Sequence, residues 1–176
     1  GKGEFVFEKS FALTNDQLNN HKIFVGKNFL KTATISFLAP AFNYEKDINN
    51  VRGNAVKLIG NMYNALSQFI PGHIAKYSDE YEPRAFGDNF QKWGTSTILI
   101  ESGGWKDDPE KQFIRKINFI ALLSAFKSIA EESYLNTSND IYESIPFNDK
   151  YIFDMLLRNL TVKEGKKLIK VDIGIN

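Results

Sequence analysis

The spacing of hydrophobic residues is strand-like in three places in the first hundred residues. Residues 4–8 alternate between polar and apolar side chains and predict a short strand that continues towards Leu13. The run 32–38 is rich in β-branched and apolar residues and predicts a largely buried strand. Residues 95–100 have the strongest buried-strand pattern in the chain. Because such a run needs cover on both faces, we expect 95–100 to be a central strand paired on both sides.

Two longer segments have the three- and four-residue spacing of helices. The first covers residues 45–70, and Pro71-Gly72 ends it. Gly53 and Gly60 weaken this helix by about 1 kcal/mol each relative to alanine, so we expect tertiary packing to hold it. We also expect these glycines to allow close approach to a sheet. The second helix is predicted from about residue 109 to residue 132.

Turn residues and polar stretches predict how these elements begin and connect. Asp107 or Asp108 is expected to cap the second helix, with Pro109 as its first residue. Residues 73–94 lack clear periodicity and predict a long functional loop, and 133–144 is predicted to be a polar loop. A short helix is predicted to start at residue 148 or 149 and to run through residue 157.

The end of the chain has the pattern of a β-hairpin. Residues 160–162 and 169–175 alternate on either side of Glu164-Gly165. The order of elements therefore predicts an α/β fold with a mixed, largely buried sheet flanked by helices and a C-terminal β-hairpin. We divide the chain into an α/β segment, residues 1–133, and a C-terminal extension with a short helix and the hairpin, residues 134–176.

Composition excludes several classes of function. The 176 residues include 22 basic and 21 acidic side chains, for a formal charge of +1, so we expect neither a nucleic-acid nor a membrane partner. The absence of cysteine excludes a disulfide framework, a thiolate zinc site and a cysteine nucleophile. The chain begins with Gly1 and not with methionine, and we expect it to be processed or trimmed.

Glu101 is the strongest candidate for chemistry in this sequence. It directly follows the buried run 97–100, at the carboxyl end of a strand, where ligands gather in open α/β sheets. A carboxylate at that place suits a general base, and Gly103-Gly104 leaves room for a ligand. The alternative is an ordinary strand-end glutamate that accepts a hydrogen bond from a turn amide.

Other polar groups have simpler structural explanations. Asp107 and Asp108 could pair with Glu101 as in a glycosidase, but helix capping explains their position better. His21 and His73 lack the spacing of a zinc-binding pair, so we predict no metal ligands in this chain. The lysines around the hairpin tip are expected to form a solvated edge, with nucleic-acid binding as the alternative.

The run 84–104 resembles the C-terminal part of zinc metallocarboxypeptidases of the carboxypeptidase A type, and in particular the large secreted versions of Bacteroidetes. Residues 34–40, the helix around 51–69 and the segment that starts at 111–116 are also similar, so the resemblance covers about residues 32–130. It implies an eight-stranded mixed sheet between helices, a peptide-type substrate and a secreted or periplasmic location.

The resemblance also implies roles for particular residues. Glu101 matches the glutamate that activates a zinc-bound water. A mobile loop before it carries a substrate-covering tyrosine, for which Tyr81 is the first candidate and Tyr77 the second, and Arg84 in the same region is a candidate substrate-binding residue. Zinc is the cofactor that the resemblance implies for the parent enzyme.

The sequence departs from this family at the metal site. The His-x-x-Glu motif is absent, and Thr14-Asn15 stands where a later histidine ligand is expected. The chain is therefore expected to be the C-terminal segment of a longer hydrolase, inactive and zinc-free by itself. The alternative is a catalytically inactive binding or interaction domain. If the N-terminal half of the sheet is missing, the strand around Phe5-Val6-Phe7 is its open edge, and we expect a homo-oligomer sealed there.

Overall fold

The computed structural model describes residues 5–11, 24–25, 31–149 and 155–175. Its strands are β1 (Phe5–Phe11), β2 (Phe24–Val25), β3 (Ile35–Leu38), β4 (Ile74–Lys76), β5 (Ser96–Ser102), β6 (Asn148–Asp149), β7 (Met155–Glu164) and β8 (Lys167–Ile175). Its helices are α1 (Asn50–Leu66), α2 (Phe86–Lys92), α3 (Gln112–Ala130) and α4 (Asn139–Ser144), with a 3₁₀ turn at Ser133–Asn136.

Four strands form a mixed sheet in the order β1-β5-β3-β4. β1 runs parallel to β5, β5 is antiparallel to β3, and β3 runs parallel to β4. The predicted central strand is confirmed, since β5 pairs with a neighbour on each side. The predicted fold class, a mixed sheet with helices and a C-terminal hairpin, is also confirmed.

Helices α1 and α3 cover one face of this sheet. Ile98 and Ile100 of β5 and Phe37 of β3 are almost completely buried there, as alternation along each strand requires. The helices contribute the other side of the same core, with Leu58, Ile59, Met62, Ile117, Ala121 and Ala125. This continuous apolar layer supplies most of the driving force for folding.

The opposite face of the sheet also carries polar contacts. Gln91 of α2 is buried, and its Oε1 accepts a hydrogen bond from the backbone N–H of Thr97 at 2.8 Å. On β3, the Oγ atom of Ser36 accepts a hydrogen bond from Nδ2 of Asn148 at 3.2 Å. Ser36 and Thr97 alternate with the core residues of their strands, so they lie on the face turned away from α1 and α3, which we call the polar face. The candidate residue Glu101 lies on this face.

The two predicted loops contain regular structure. Residues 73–94 include β4 and α2, and residues 133–144 include the 3₁₀ turn and α4. The loop predictions were wrong because a three-residue strand and helices of six or seven residues are too short to show a period. Tertiary contacts hold them: Tyr134 and Tyr142 are buried in the main core, together with Ile145.

The helix predicted from residue 148 or 149 to residue 157 is also wrong. Asn148 and Asp149 form β6, which pairs with β2 in antiparallel register, and Met155–Leu157 belongs to β7. Pairing with a distant strand overrides the local capping signal. The predicted continuation of the first strand to Leu13 lies outside the described residues, and β1 is assigned to Phe11.

Helix α3 begins three residues later than predicted. Lys111 N–H donates to the carbonyl of Asp108 at 3.1 Å, so Pro109 lies in a turn before the helix and is not its first residue. The carboxylate of Asp108 nevertheless accepts hydrogen bonds from Phe113 N–H and Ile114 N–H, at 3.2 and 3.1 Å. Asp108 therefore satisfies the free amides at the start of the helix, as predicted for a capping residue.

The C-terminal hairpin is confirmed, and its strands are longer than predicted. β7 and β8 pair in antiparallel register and connect through Gly165, which has a φ of 62°. Within the described part of the chain, no hairpin residue belongs to the buried core.

No helix in the described ranges is long and apolar enough to cross a membrane.

Candidate functional site

The site is built around Glu101, near the carboxyl end of β5. Glu101 is half-buried and lies directly across from Ser36 of β3 in the antiparallel register. Its neighbour Ile100 points into the core, so alternation places the Glu101 carboxylate on the polar face of the sheet. The carboxylate is therefore held on a central strand but remains accessible from one side.

Tyr77 is the tyrosine that the structure brings to Glu101. It directly follows β4, and its N–H donates to the carbonyl of Phe37 at 2.9 Å, which fixes its backbone beside β3. Burial raises the pKa of Tyr77 well above its ordinary value, and the hydrogen bond to the Glu101 carboxylate and the charge of that group raise it further. The Tyr77 hydroxyl is thus a protonated donor that faces Glu101.

Asn148 of β6 is the third member of this cluster. Its amide interacts with the Tyr77 hydroxyl and acts to lower the pKa of that group, opposite to the effect of Glu101. Its Nδ2 also donates to Ser36 Oγ, and its Oδ1 is buried without a hydrogen-bond partner among the described residues. A buried acceptor without a partner is rare in folded proteins and is compatible with a ligand donor at this place.

The strand end that carries Glu101 is anchored on both sides. On the helical face, Asn118 Nδ2 of α3 donates to Ser102 Oγ at 2.8 Å. Beyond the strand, Gly103 N–H donates to the carbonyl of Thr34 at 2.9 Å. A Cβ atom added at Gly104 would meet nothing within 4 Å, so there is open space beside this turn.

The described contacts of Tyr81 and Arg84 are with residues other than Glu101 and Tyr77. The ring of Tyr81 packs edge-on against Tyr44, with 5.0 Å between the centroids. Arg84 is exposed, and its guanidinium donates to both carboxylate oxygens of Glu82 at 2.9 and 3.1 Å. These hydrogen bonds lower the pKa of Glu82 to about 2. Of the two candidate tyrosines, the described contacts therefore favour Tyr77.

The described residues do not form a zinc site. They include no group of three or more histidine, cysteine, aspartate or glutamate side chains that could hold a metal ion. His73 has its Nδ1 atom 2.8 Å from the carbonyl of Thr32, and its ring packs against Trp105. His21 and Thr14-Asn15 lie outside the described residues. The donor set that the resemblance implies for zinc is therefore not present in this part of the chain, and we derive no chemical step through a metal.

The aspartates near the site have a different role. The carboxylate of Asp108 is engaged by two amides of α3, and Asp107 is exposed with a left-handed backbone, φ 60°. Their contacts agree with the capping explanation and do not supply a second acid opposite Glu101. The pairing of Glu101 with a second carboxylate therefore has no support in the described contacts.

Comparison of the chain with models of known families gives no match, and no curated protein or solved structure matches it. The comparisons therefore add nothing to the structural side of the functional argument, which rests on the arrangement of Glu101, Tyr77, Asn148 and Ser36.

Two of these residues were not found by sequence reasoning. Ser36 has a signal, because it is a polar residue in the middle of an apolar strand, on the alternate face. Asn148 has none, because its place in the site depends on the two-residue strand β6.

Proposed function

We propose that this chain carries the general-base part of a peptide-hydrolase site of the carboxypeptidase type. In this proposal Glu101 accepts a proton from the attacking water, and metal ligands come from sequence outside these 176 residues. One observation supports it above the others: Glu101 lies next to the last residue of the central strand, with its carboxylate on the polar face and in hydrogen-bond contact with the Tyr77 hydroxyl. The peptide-type substrate, the zinc cofactor and the secreted or periplasmic location are parts of the proposal that rest on the resemblance.

Tyr77 is a positioning residue in this proposal. A tyrosine hydroxyl is protonated at neutral pH even at its ordinary pKa of about 10, and burial and Glu101 raise the pKa of Tyr77 further, so the hydroxyl can donate to the Glu101 carboxylate. Such a hydrogen bond holds the carboxylate in one orientation and leaves its second oxygen for the water. Asn148 and Ser36 hold this arrangement from the neighbouring strands.

The test uses the longest open reading frame that contains this chain. Release of C-terminal amino acids from peptides is measured for the wild type, Glu101→Gln and Glu110→Gln. Removing the base is expected to lower kcat by about 10²–10⁴-fold, the usual contribution of general-base catalysis. Glu110 is exposed and lies outside the cluster, so its variant is the matched control. Full activity of Glu101→Gln would contradict the proposal.

The same frame tests Tyr77. Tyr77→Phe keeps the ring but removes the donor, and we expect a lower kcat and a pH profile whose acidic limb moves, with KM little changed. An unchanged pH profile would show that Tyr77 has a structural role and takes no part in the mechanism.

A binding or interaction domain without activity is the second candidate function. It is favoured by the lack of a metal-binding group in the described part of the chain. A reading frame without His-x-x-Glu, together with no hydrolysis of any peptide, would support it over the hydrolase.

A further inference from the structure

The C-terminal hairpin has one apolar face and one face of mixed polar and apolar residues. The register places Leu157 opposite Ile173, Leu160 opposite Val171, and Val162 opposite Ile169. Because alternate residues of a strand share a face, these three pairs lie on the same side, and the pair Met155–Ile175 continues it. The other side carries the mixed pairs Thr161–Lys170, Lys163–Leu168 and Leu156–Gly174.

A β-bulge produces this separation. Leu157 and Leu160 are three residues apart and would point to opposite faces of a regular strand. The register shifts by one residue between them, and Asn159 takes a left-handed conformation with φ 57°. Its N–H donates to Oδ1 of Asp172 at 2.7 Å, which holds the bulge. The extra residue brings all four apolar pairs to one face.

This face has no cover in the described structure. Met155 is 55% exposed, and Ile173 and Val162 are each 38% exposed. An isolated two-stranded hairpin is at best marginally stable in water, so an apolar face of this size is expected to pack against another surface.

We propose that the hairpin is a dimerisation arm, whose apolar face packs on the same face of a second copy. The two hairpins align tip with tip and form a two-layer, four-stranded sandwich. This inference is independent of the proposed function, because it uses no residue of the Glu101 cluster.

Charge complementarity at the tip selects a second copy and its orientation. Glu164 and Lys167 face each other across the strands and end the apolar face. A two-fold axis along the hairpin places β7 over β8 of the second copy, so Glu164 of each chain lies over Lys167 of the other. An axis across the hairpin would instead place these charges over Met155 and Ile175, where they would lose hydration and meet no opposite charge of the second copy.

The available area is sufficient for a dimer. If each exposed aliphatic side chain contributes about 60–80 Å², the four pairs bury roughly 500–600 Å² per copy. The total of about 1,000–1,200 Å² is the size of a weak, reversible protein interface.

The first test measures oligomeric state by analytical ultracentrifugation over a range of concentrations. The wild type is expected to dimerise, and Ile169→Glu, on the apolar face, is expected to weaken the dimer by at least tenfold. The matched control is Leu168→Glu, the next residue on the opposite face, which is 72% exposed and is expected to leave the dimer intact. Circular dichroism checks that both variants fold.

Three outcomes overturn the proposal. They are a wild type that stays monomeric, a dimer that persists in Ile169→Glu, and equal dissociation in Leu168→Glu. A persistent dimer would place the contact elsewhere, and the open edge of β1 is the next surface to test.

A second test uses charge reversal. Glu164→Lys and Lys167→Glu each place like charges against each other at the tip of a homodimer, so each alone is expected to weaken it. An equimolar mixture restores opposite charges across the interface and is expected to recover the dimer. Failure of the mixture to recover it overturns the tip-to-tip packing.

Discussion

Arg52 is a fully buried cation that ties three segments together. Its Nε donates to the carbonyl of Ala39 at 3.1 Å, and one terminal nitrogen donates to the carbonyl of Lys46 at 2.6 Å. Its other terminal nitrogen forms an ion pair with Asp79. A buried charge is tolerated only when it is paired and hydrogen-bonded, so these contacts hold the segment after β3 and the segment after β4 around the start of α1.

We predict that Asp79→Asn destabilises the protein by about 2–3 kcal/mol at pH 7, because the guanidinium keeps its carbonyl partners but loses its counter-charge. Chemical denaturation of the variant and the wild type measures the difference. Asn43→Ala, which removes an exposed side chain that bonds Asp47, is the control and is expected to cost much less.

The effect of Asp79→Asn should depend on pH. Burial acts to raise the pKa of Asp79, but the hydrogen bond and charge of Arg52 outweigh it, so the pKa lies below its ordinary value. Because folding lowers the pKa of Asp79, its carboxylate stabilises the folded protein fully at pH values above its pKa in the unfolded state, which is about 4. This stabilisation is lost as the pH falls through its pKa in the folded state. The difference between wild type and variant should therefore shrink below pH 4, and a constant difference would contradict this assignment.

At the scale of elements, the two glycines of α1 have different roles. A Cβ atom at Gly60 would lie 2.9 Å from Cγ2 of Thr137 and 3.4 Å from Cβ of Ile141. Gly60 therefore allows α1 to approach the segment that leads into α4, and not a sheet as the sequence suggested. At Gly53 the nearest atom is Cγ2 of Ile48, at an ordinary 3.7 Å.

Alanine substitutions should separate these roles. Gly53→Ala is expected to stabilise the protein by about 0.5–1 kcal/mol, because alanine favours the helix and the added methyl group has room. Gly60→Ala is expected to destabilise it by about 1–2 kcal/mol, since the contact with Thr137 outweighs the same helical gain. Thermal unfolding of the wild type and the two variants measures whether each substitution stabilises or destabilises the protein. Stabilisation by Gly60→Ala would show that α4 moves aside easily.

In the molecule as a whole, exposed apolar side chains lie next to β1. This strand lies at the edge of the described sheet, as predicted for the Phe5-Val6-Phe7 segment. Phe7 packs edge-on against Phe126 of α3, with 5.6 Å between the ring centroids, and Phe119 and Leu123 on the same helix are 65% and 55% exposed. This surface is compatible with further strands beyond β1, and self-association there stays a prediction.

We also predict that the 176-residue chain holds no stoichiometric zinc. A zinc site needs three or four converging ligands, and His73 is engaged with Thr32 and Trp105. Metal analysis after purification in zinc-containing buffer and removal of free metal is expected to find far less than one zinc per chain. One tightly bound zinc, lost on substitution of His21 or His73, would contradict the prediction.

Sequence patterns predict those elements that are long enough to show a repeated spacing. The core strand β5, the helices α1 and α3 and the terminal hairpin each show several periods of apolar spacing, and together they predict the α/β class. Glu101 was also recognised, because a carboxylate that follows a buried strand is a local feature of the sequence.

The contacts between residues that are distant in the chain depend on the tertiary structure. Tyr77 reaches Glu101, and Asp79 reaches Arg52, through contacts between segments that are far apart in the chain. The strands β4 and β6 have three and two residues and exist because neighbouring strands supply their hydrogen-bond partners. The same physical reason applies in each case. The spacing of hydrophobic residues indicates which face of one element is buried, whereas the packing between elements determines which residues of other elements that face contacts.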